Sequence, residues 1–383
     1  VIGMKYRIKA LTPVHIHSGE VLRSMEYMVK DGEVLIFDEM DVIRSIKEKE
    51  LLNAELLDSY SLTSKRSDYH RNLDYYIKKG IIDSSIVNRY KVKAINKAEN
   101  LNGKEIYRTM RNIQGTYIPG SSIKGVIRTA ILYDYLLKKG IDYIKEAVNY
   151  LKNNQSLKLY IDDYIIYFTN TKNNNRKKNI QADPFKFLIV RDVNMTENEV
   201  VIYDETIFDV NKFITGNTIE AIKEGDYTED FEFEIVSDKD KLNTLNKIIG
   251  YNTDLDKYLD EKKILEALYQ FSSDIIDDEI EYFKQQENRL FNSKEVIKKL
   301  EEIKKKNSID SPVIRIGKGK GYKANTVALA IKKLDRNYYN KEIKNIAKPY
   351  QYRERYEFPK TRNFVGNRVS PKLLGFTILE KVD

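Results

Sequence analysis

Tyr117-Ile-Pro-Gly-Ser-Ser-Ile-Lys-Gly-Val-Ile-Arg-Thr-Ala130 is the stretch on which the reading of this chain turns. Pro119-Gly120 signals a turn, and Ser121 or Ser122 is a suitable N-cap for the apolar-periodic run from Ile123 to about Leu137. A loop of small residues opening a helix leaves N–H groups unpaired at the positive end of the helix dipole, which suits a phosphate. Lys124 and Arg128 lie four apart, share one helix face and add two cations. An ordinary loop-to-helix junction has the same composition, so the stretch does not decide function alone.

The surrounding chain sets bounds. Its 383 residues fit two domains of roughly 150–200, and a hydrophobic content of 41% is enough for ordinary cores. Lys and Arg outnumber Asp and Glu by 66 to 58, for a net charge of +8 and a pI near 9.0. That modest excess is compatible with nucleic acid on one face and does not establish it. The absence of Cys excludes disulfides, thiolate zinc sites and cysteine nucleophiles, and three His (His15, His17, His70) leave little for a histidine metal site. No metal and no cofactor are expected. No apolar run approaches the ~20 residues of a membrane span, so a cytoplasmic chain with no membrane partner is expected. Met4 reads as the natural start.

Working outward towards the N-terminus, Lys5 to Leu11 alternates as a first strand and runs into Thr12-Pro-Val-His-Ile-His-Ser-Gly19. Met25–Lys30, Asp31-Gly32 and Glu33–Phe37 predict a hairpin with a two-residue turn. Asp38 or Asp41 caps a predicted helix over about 42–57. Residues 58–116 read as an insertion. It carries Tyr69-His70-Arg71, the basic stretch 88–93 and Tyr107-Arg-Thr-Met-Arg111, whose cations and rings suit RNA and equally describe a solvated face.

Towards the C-terminus, Leu136–Gly140 ends the helix, a second short helix runs to about 151, and Lys158–Thr169 has the composition of a strand. The basic loop 171–179 is the predicted domain boundary. Strand patterns follow at 183–192, 199–208 and 230–236, then a helical region over about 242–306, in which Asp277-Asp278-Glu279 reads as a solvated face. Ser311–Ile316 is a strand, and Gly317-Lys-Gly-Lys-Gly-Tyr322 is a glycine-rich loop that opens another helix. Its three glycines (Gly317, Gly319, Gly321) permit close approach of a ligand, Lys318 and Lys320 supply charge, and Tyr322 offers a ring to a base. It is neither a Walker loop nor a dinucleotide fingerprint. Tyr350–Tyr356, then Pro359-Lys-Thr-Arg362, and a final strand over Ser370–Leu379 close the chain.

Ile118 to Ala130 resembles the glycine-rich signature of the RAMP superfamily, the RNA-binding subunits of CRISPR effector complexes. Thr12–Gly19 resembles the segment that follows the first strand in that superfamily. Pro359–Arg362, with Leu374-Gly-Phe-Thr-Ile-Leu379, resembles the C-terminal signature of the subunit that caps the guide's 3′ end in the type III-A (Csm) complex. The resemblance implies an α+β fold of two ferredoxin-like (RRM-like) domains, 1–180 and 181–383, the second degenerate, with insertions at about 58–116 and 242–308. It implies a non-catalytic RNA-binding subunit that contacts the 3′ region of the crRNA. Its implied partners are the backbone and small subunits, target RNA, and host nucleases recruited for 3′-end maturation. The RNA-facing set would be Gly120, Ser121, Ser122, Lys124, Gly125 and Arg128, with Gly317–Tyr322, with Lys360 and Arg362, and with His15. Two other readings stay open: a metal-independent endoribonuclease using His15 or His17, and the subunit that holds the 5′ handle.

Overall fold

In the strand Lys5–Ala10, Tyr6, Ile8 and Ala10 are buried while Lys5, Arg7 and Lys9 point outward, as a period of two requires. The computed structural model describes residues 5–59, 71–101, 103–153, 161–170, 176–178, 180, 183–209, 212–235, 254–286, 293–347, 358–367 and 370–382. Lys5–Ala10 pairs along its length with Phe376–Val382 at the other end of the chain, Ile8 opposite Leu379. Phe231–Glu232 and Val313–Arg315 complete a four-stranded sheet in which every neighbouring pair is antiparallel.

Two long helices, Gly120–Lys139 and Glu261–Gln285, pack together in the core this sheet shares: Tyr6 and Ile8 lie in one cluster with Ile123, Ile127, Leu268 and Phe271. Strands layered with helices in this way make the α+β, ferredoxin-like architecture. Half of the twenty residues of Gly120–Lys139 are buried. Each large apolar side chain there contributes about 1.5–3 kcal/mol, against about 1 kcal/mol for a cap. Packing rather than capping therefore fixes this helix. Its N-cap is Pro119, and Ser121 and Ser122 sit inside the first turn, which corrects the expectation that one of them is the cap.

The second sheet has nine strands. Its spine is the antiparallel pair Val200–Asp209 and Lys212–Ile222. Val92–Asn96 joins one side in parallel, followed by Glu33–Ile36 and Tyr27–Lys30. Ile106–Thr109 and His17–Leu22 extend the other side, and Thr361–Val365 pairs with the outer half of Val200–Asp209. The predicted hairpin is present, and Asp31 and Gly32 both adopt positive φ (52° and 79°), the two-residue turn that matches strand twist. Strands from either side of residue 180 pair in both sheets, so the expected boundary does not coincide with a break between sheets.

Three expected elements differ. The helix over 42–57 is two short helices, Glu39–Arg44 and Ala54–Ser59, around a 3-10 turn at Glu48–Glu50. Ser45 closes the first, its hydroxyl donating to the Asp41 carbonyl, and Ile46 leaves to bridge Ile82. Asp38 does cap the first helix, accepting from the Met40 N–H at 2.9 Å. The strand expected over 158–169 is the helix Ile161–Tyr167 followed by a short strand, Phe168–Asn170. Ile161, Tyr164 and Ile165 share a helical face in the main core, so tertiary burial overrides their β-propensity. Asp183–Asp192 opens with a 3-10 turn, Pro184–Phe187, capped by Asp183, and keeps only the two-residue strand Leu188–Ile189. His70, residues 171–175 and the Tyr350–Tyr356 run lie outside the described residues.

Candidate nucleic-acid interface

The segment Thr12–Gly19 is a backbone spine to which the other motifs fasten. His15 O accepts from the Lys318 N–H at 2.8 Å, Ile16 O from Met110 at 2.8 Å, and Met110 O from Tyr117 at 3.2 Å. Pro13 O accepts from Gly375, whose own carbonyl accepts from Ile316. Both glycine-rich loops and the Leu374-Gly-Phe376 turn are thus stitched together from segments far apart in sequence. Gly317 has φ 74°, and a Cβ there would fall 2.3 Å from the His15 carbonyl oxygen. The close approach that this glycine permits is to the protein's own backbone.

Gly120 answers to the same logic. A Cβ there would fall 2.1 Å from the Val190 carbonyl oxygen, and the Gly120 N–H donates to the Asp192 carboxylate at 2.8 Å. The Ser122 and Ile123 N–H groups turn back to Pro119 O. A protein carboxylate therefore occupies the helix N-terminus that the sequence suggests for phosphate, and Gly120 is buried. What remains outward-facing is a strip at helical spacing: Ser121 and Gly125 exposed, Lys124 and Arg128 half-buried. A Cβ on Gly125 would meet nothing within 4 Å, and Lys124 makes no ion pair among the described residues.

The sequence profile of the RAMP superfamily matches residues 7–373. The chain belongs to the RAMP superfamily. This RAMP chain is 25% identical over 359 residues to a Methanocaldococcus jannaschii protein named CRISPR system Cms protein Csm5, covering 90% of this chain and 78% of that one. Its fold is similar to a chain in the cryo-EM structure of a Csm–crRNA–target RNA ternary complex of a type III-A CRISPR–Cas system (TM-score 0.71, 21% identity, covering 98% of this chain and 100% of that one). It is also similar to the crystal structure of T. onnurineus Csm5 (TM-score 0.64, 17% identity, 97% and 99% covered).

The remaining site residues of this RAMP chain divide by burial. Lys318 is about one-third exposed, and its ammonium pairs with the buried Glu205 carboxylate at 2.8 Å. Lys320 is half-buried, and burial, with the Arg315 guanidinium, holds it below the ordinary lysine range. Tyr322 lies edge-on to Phe358 with ring centroids 5.2 Å apart, packed on the main core, so much of its ring is committed to the interior. Lys360 reaches Asp209 at 3.3 Å.

Arg362 is buried. Its Nε donates to Glu279 at 2.8 Å and its guanidinium sits 3.8 Å from the Tyr282 ring centroid. The expectation that Arg362 faces RNA is corrected to a role inside the fold. His15 is also buried: Nδ1 lies 2.7 Å from the Glu220 carbonyl, and burial pushes its pKa down to about 4. A neutral ring donating to a backbone carbonyl is a structural group.

Behind the 317–322 loop lies a buried charge cluster that sequence reasoning misassigns. Asp278 and Glu279, expected on a solvated face, are both buried. Asp278 accepts from Lys323 at 2.7 Å and Lys332 at 2.5 Å. Burial pushes its carboxyl up, but the two ammonium groups outweigh this and hold it below the ordinary range. Glu279 holds Arg362, with Arg315 at 3.9 Å. Arg315 in turn donates to the Gly319 carbonyl at 3.1 Å, which ties the loop to the long helix. Three segments, around 278, 315–332 and 362, meet only in the fold.

Proposed function

We propose that this chain is the Csm5-like subunit of a type III-A CRISPR interference complex, contacting the crRNA near its 3′ end and docking on the last backbone subunit. In this reading it does no bond-breaking itself and supports 3′-end maturation by recruited nucleases. The observation that carries the reading is the spine at Thr12–Gly19, whose backbone hydrogen bonds tie together the 317–322 loop, the Leu374-Gly-Phe376 turn and, through Met110 and Tyr117, the strand that feeds the signature helix. The similarity to Csm5 over most of both chains supports it. The strip of Ser121, Lys124, Gly125 and Arg128 would follow the RNA backbone. Contacts of that kind carry no sequence information, as a subunit that must accept any spacer requires.

Reconstituting the complex with and without this chain, and measuring guide length and occupancy, tests the proposal. Loss of a defined guide 3′ end on omission is expected; unchanged guide length and occupancy would contradict it. One observation keeps an endoribonuclease reading in view: His17, unlike His15, faces solvent. Cleavage of repeat RNA by the purified chain, abolished in His17→Ala and insensitive to chelator, would favour that reading instead.

A further inference from the structure

His17 and Tyr107 stand where the Thr12–Gly19 spine meets the strand Ile106–Thr109, and the RNA-binding reading above gives neither a role. The His17 ring is exposed and lies nearly parallel to the buried His15 ring (centroids 5.9 Å apart, 26° between planes). Tyr107, half-buried with part of its ring packed on the core around Ile219, Val365 and Leu374, is 5.5 Å away and tilted by 50°. The Lys318 ammonium sits 5.9 Å from the Tyr107 ring centroid. Among the described residues, neither the His17 ring nitrogens nor the Tyr107 hydroxyl makes a hydrogen bond.

These groups are held firmly. His15 anchors the step through Glu220, and its own carbonyl receives the Lys318 N–H. The Glu205 carboxylate that positions Lys318 is buried and also receives Asn363 Nδ2 at 3.3 Å, so it turns no open acid towards a ligand. The result is a rigid aromatic step with uncommitted polar tips and a partly exposed cation beside it. Unstacked bases bind to this combination: a ring for the π-face, donors for a base edge or a 2′-hydroxyl, and a cation for the phosphate.

We propose that His17 and Tyr107 form a nucleobase subsite, holding one unpaired base of bound RNA with its phosphate directed at Lys318. The proposal rests on the RNA-binding reading above and adds the residues that meet a base rather than the backbone. The nucleotide belongs either to the guide or to the target strand, which present the same chemistry.

The test uses the reconstituted complex with thiouridine placed in the guide in one arm and in the target in the other. After irradiation, crosslinked peptides are identified by mass spectrometry. A crosslink to the peptide containing His17 or Tyr107 is expected in one arm, which names the strand. It should fall at least about fivefold in His17→Ala with Tyr107→Ala, the lower end of what base–aromatic stacking contributes. It should persist in His17→Phe with Tyr107→Phe, which keep the rings and guard against a folding defect. Full RNA retention with crosslinks elsewhere on the chain, or a crosslink unchanged in the alanine pair, overturns the subsite alone. If the chain crosslinks to RNA nowhere, and Lys124→Glu with Arg128→Glu leaves guide retention untouched, the RNA-binding reading falls with it.

Discussion

Gly317 lies against His15 so closely that a single added methyl would sit 2.3 Å from the His15 carbonyl oxygen. The glycine also has positive φ, so an L side chain there meets both strain and backbone contact. Gly317→Ala should destabilise the fold by about 2–5 kcal/mol, the sum of left-handed strain and overpacking. Gly125→Ala, in open space within a helix, should stabilise it by up to about 1 kcal/mol. Denaturant unfolding of both variants checks the contrast, and equal effects would contradict it.

Asp278 makes a second prediction. Removing its charge takes away the carboxylate nearest to the buried Lys323 and Lys332 ammonium groups, so Asp278→Asn should cost about 3–5 kcal/mol. Its carboxyl is held below the ordinary range in the fold, so its contribution is present above the unfolded pKa of about 3.9 and is lost as pH falls further. The wild-type chain should therefore lose stability on that acid limb, and the variant should show a flatter one.

His15 and Asp226 should bend the pH profile in opposite directions at milder acidity. Burial pushes His15 down to about 4, so the unfolded chain takes up the proton first and stability falls between about pH 6.5 and 4. Asp226 is pushed up to about 6 by burial, then by Glu197, so its ionised form opposes folding above that pH. Asp226→Asn should gain on the order of 1–2 kcal/mol at pH 7 and nothing below pH 4. His15→Gln should remove the opposite slope. Unfolding midpoints measured from pH 7 to pH 4 separate the two groups.

Lys124→Glu with Arg128→Glu should weaken guide retention and lower the salt slope of binding by about 0.7 for each phosphate no longer neutralised. Arg362→Gln should instead lower stability, because it leaves Glu279 buried without its nearest cation. Filter binding across a salt series, beside thermal unfolding, distinguishes an RNA-facing cation from a structural one.

Local signals are readable in the sequence. The Asp31-Gly32 hairpin, the helix ending at Gly140, the strand–loop–helix at 313–325 and the final strand all appear, because turn chemistry and periodicity act within a few residues. What escapes depends on distant partners. Asp277-Asp278-Glu279 reads as solvated because the cations that bury it come from 45 and 54 residues away for Asp278 and from 83 away for Glu279. Gly120 reads as a ligand cradle because the Val190 carbonyl it accommodates is invisible in the local sequence. Ile161–Tyr167 satisfies strand and helix patterns alike, and only its packing in the main core decides between them.

The most direct test of the central claim is to pull a tagged copy of this chain from cells after RNA crosslinking and map where along the guides the crosslinks fall. Crosslinks clustered near guide 3′ ends, across many spacer sequences, are the predicted result. Crosslinks confined to the constant 5′ handle, or none above background, would contradict it.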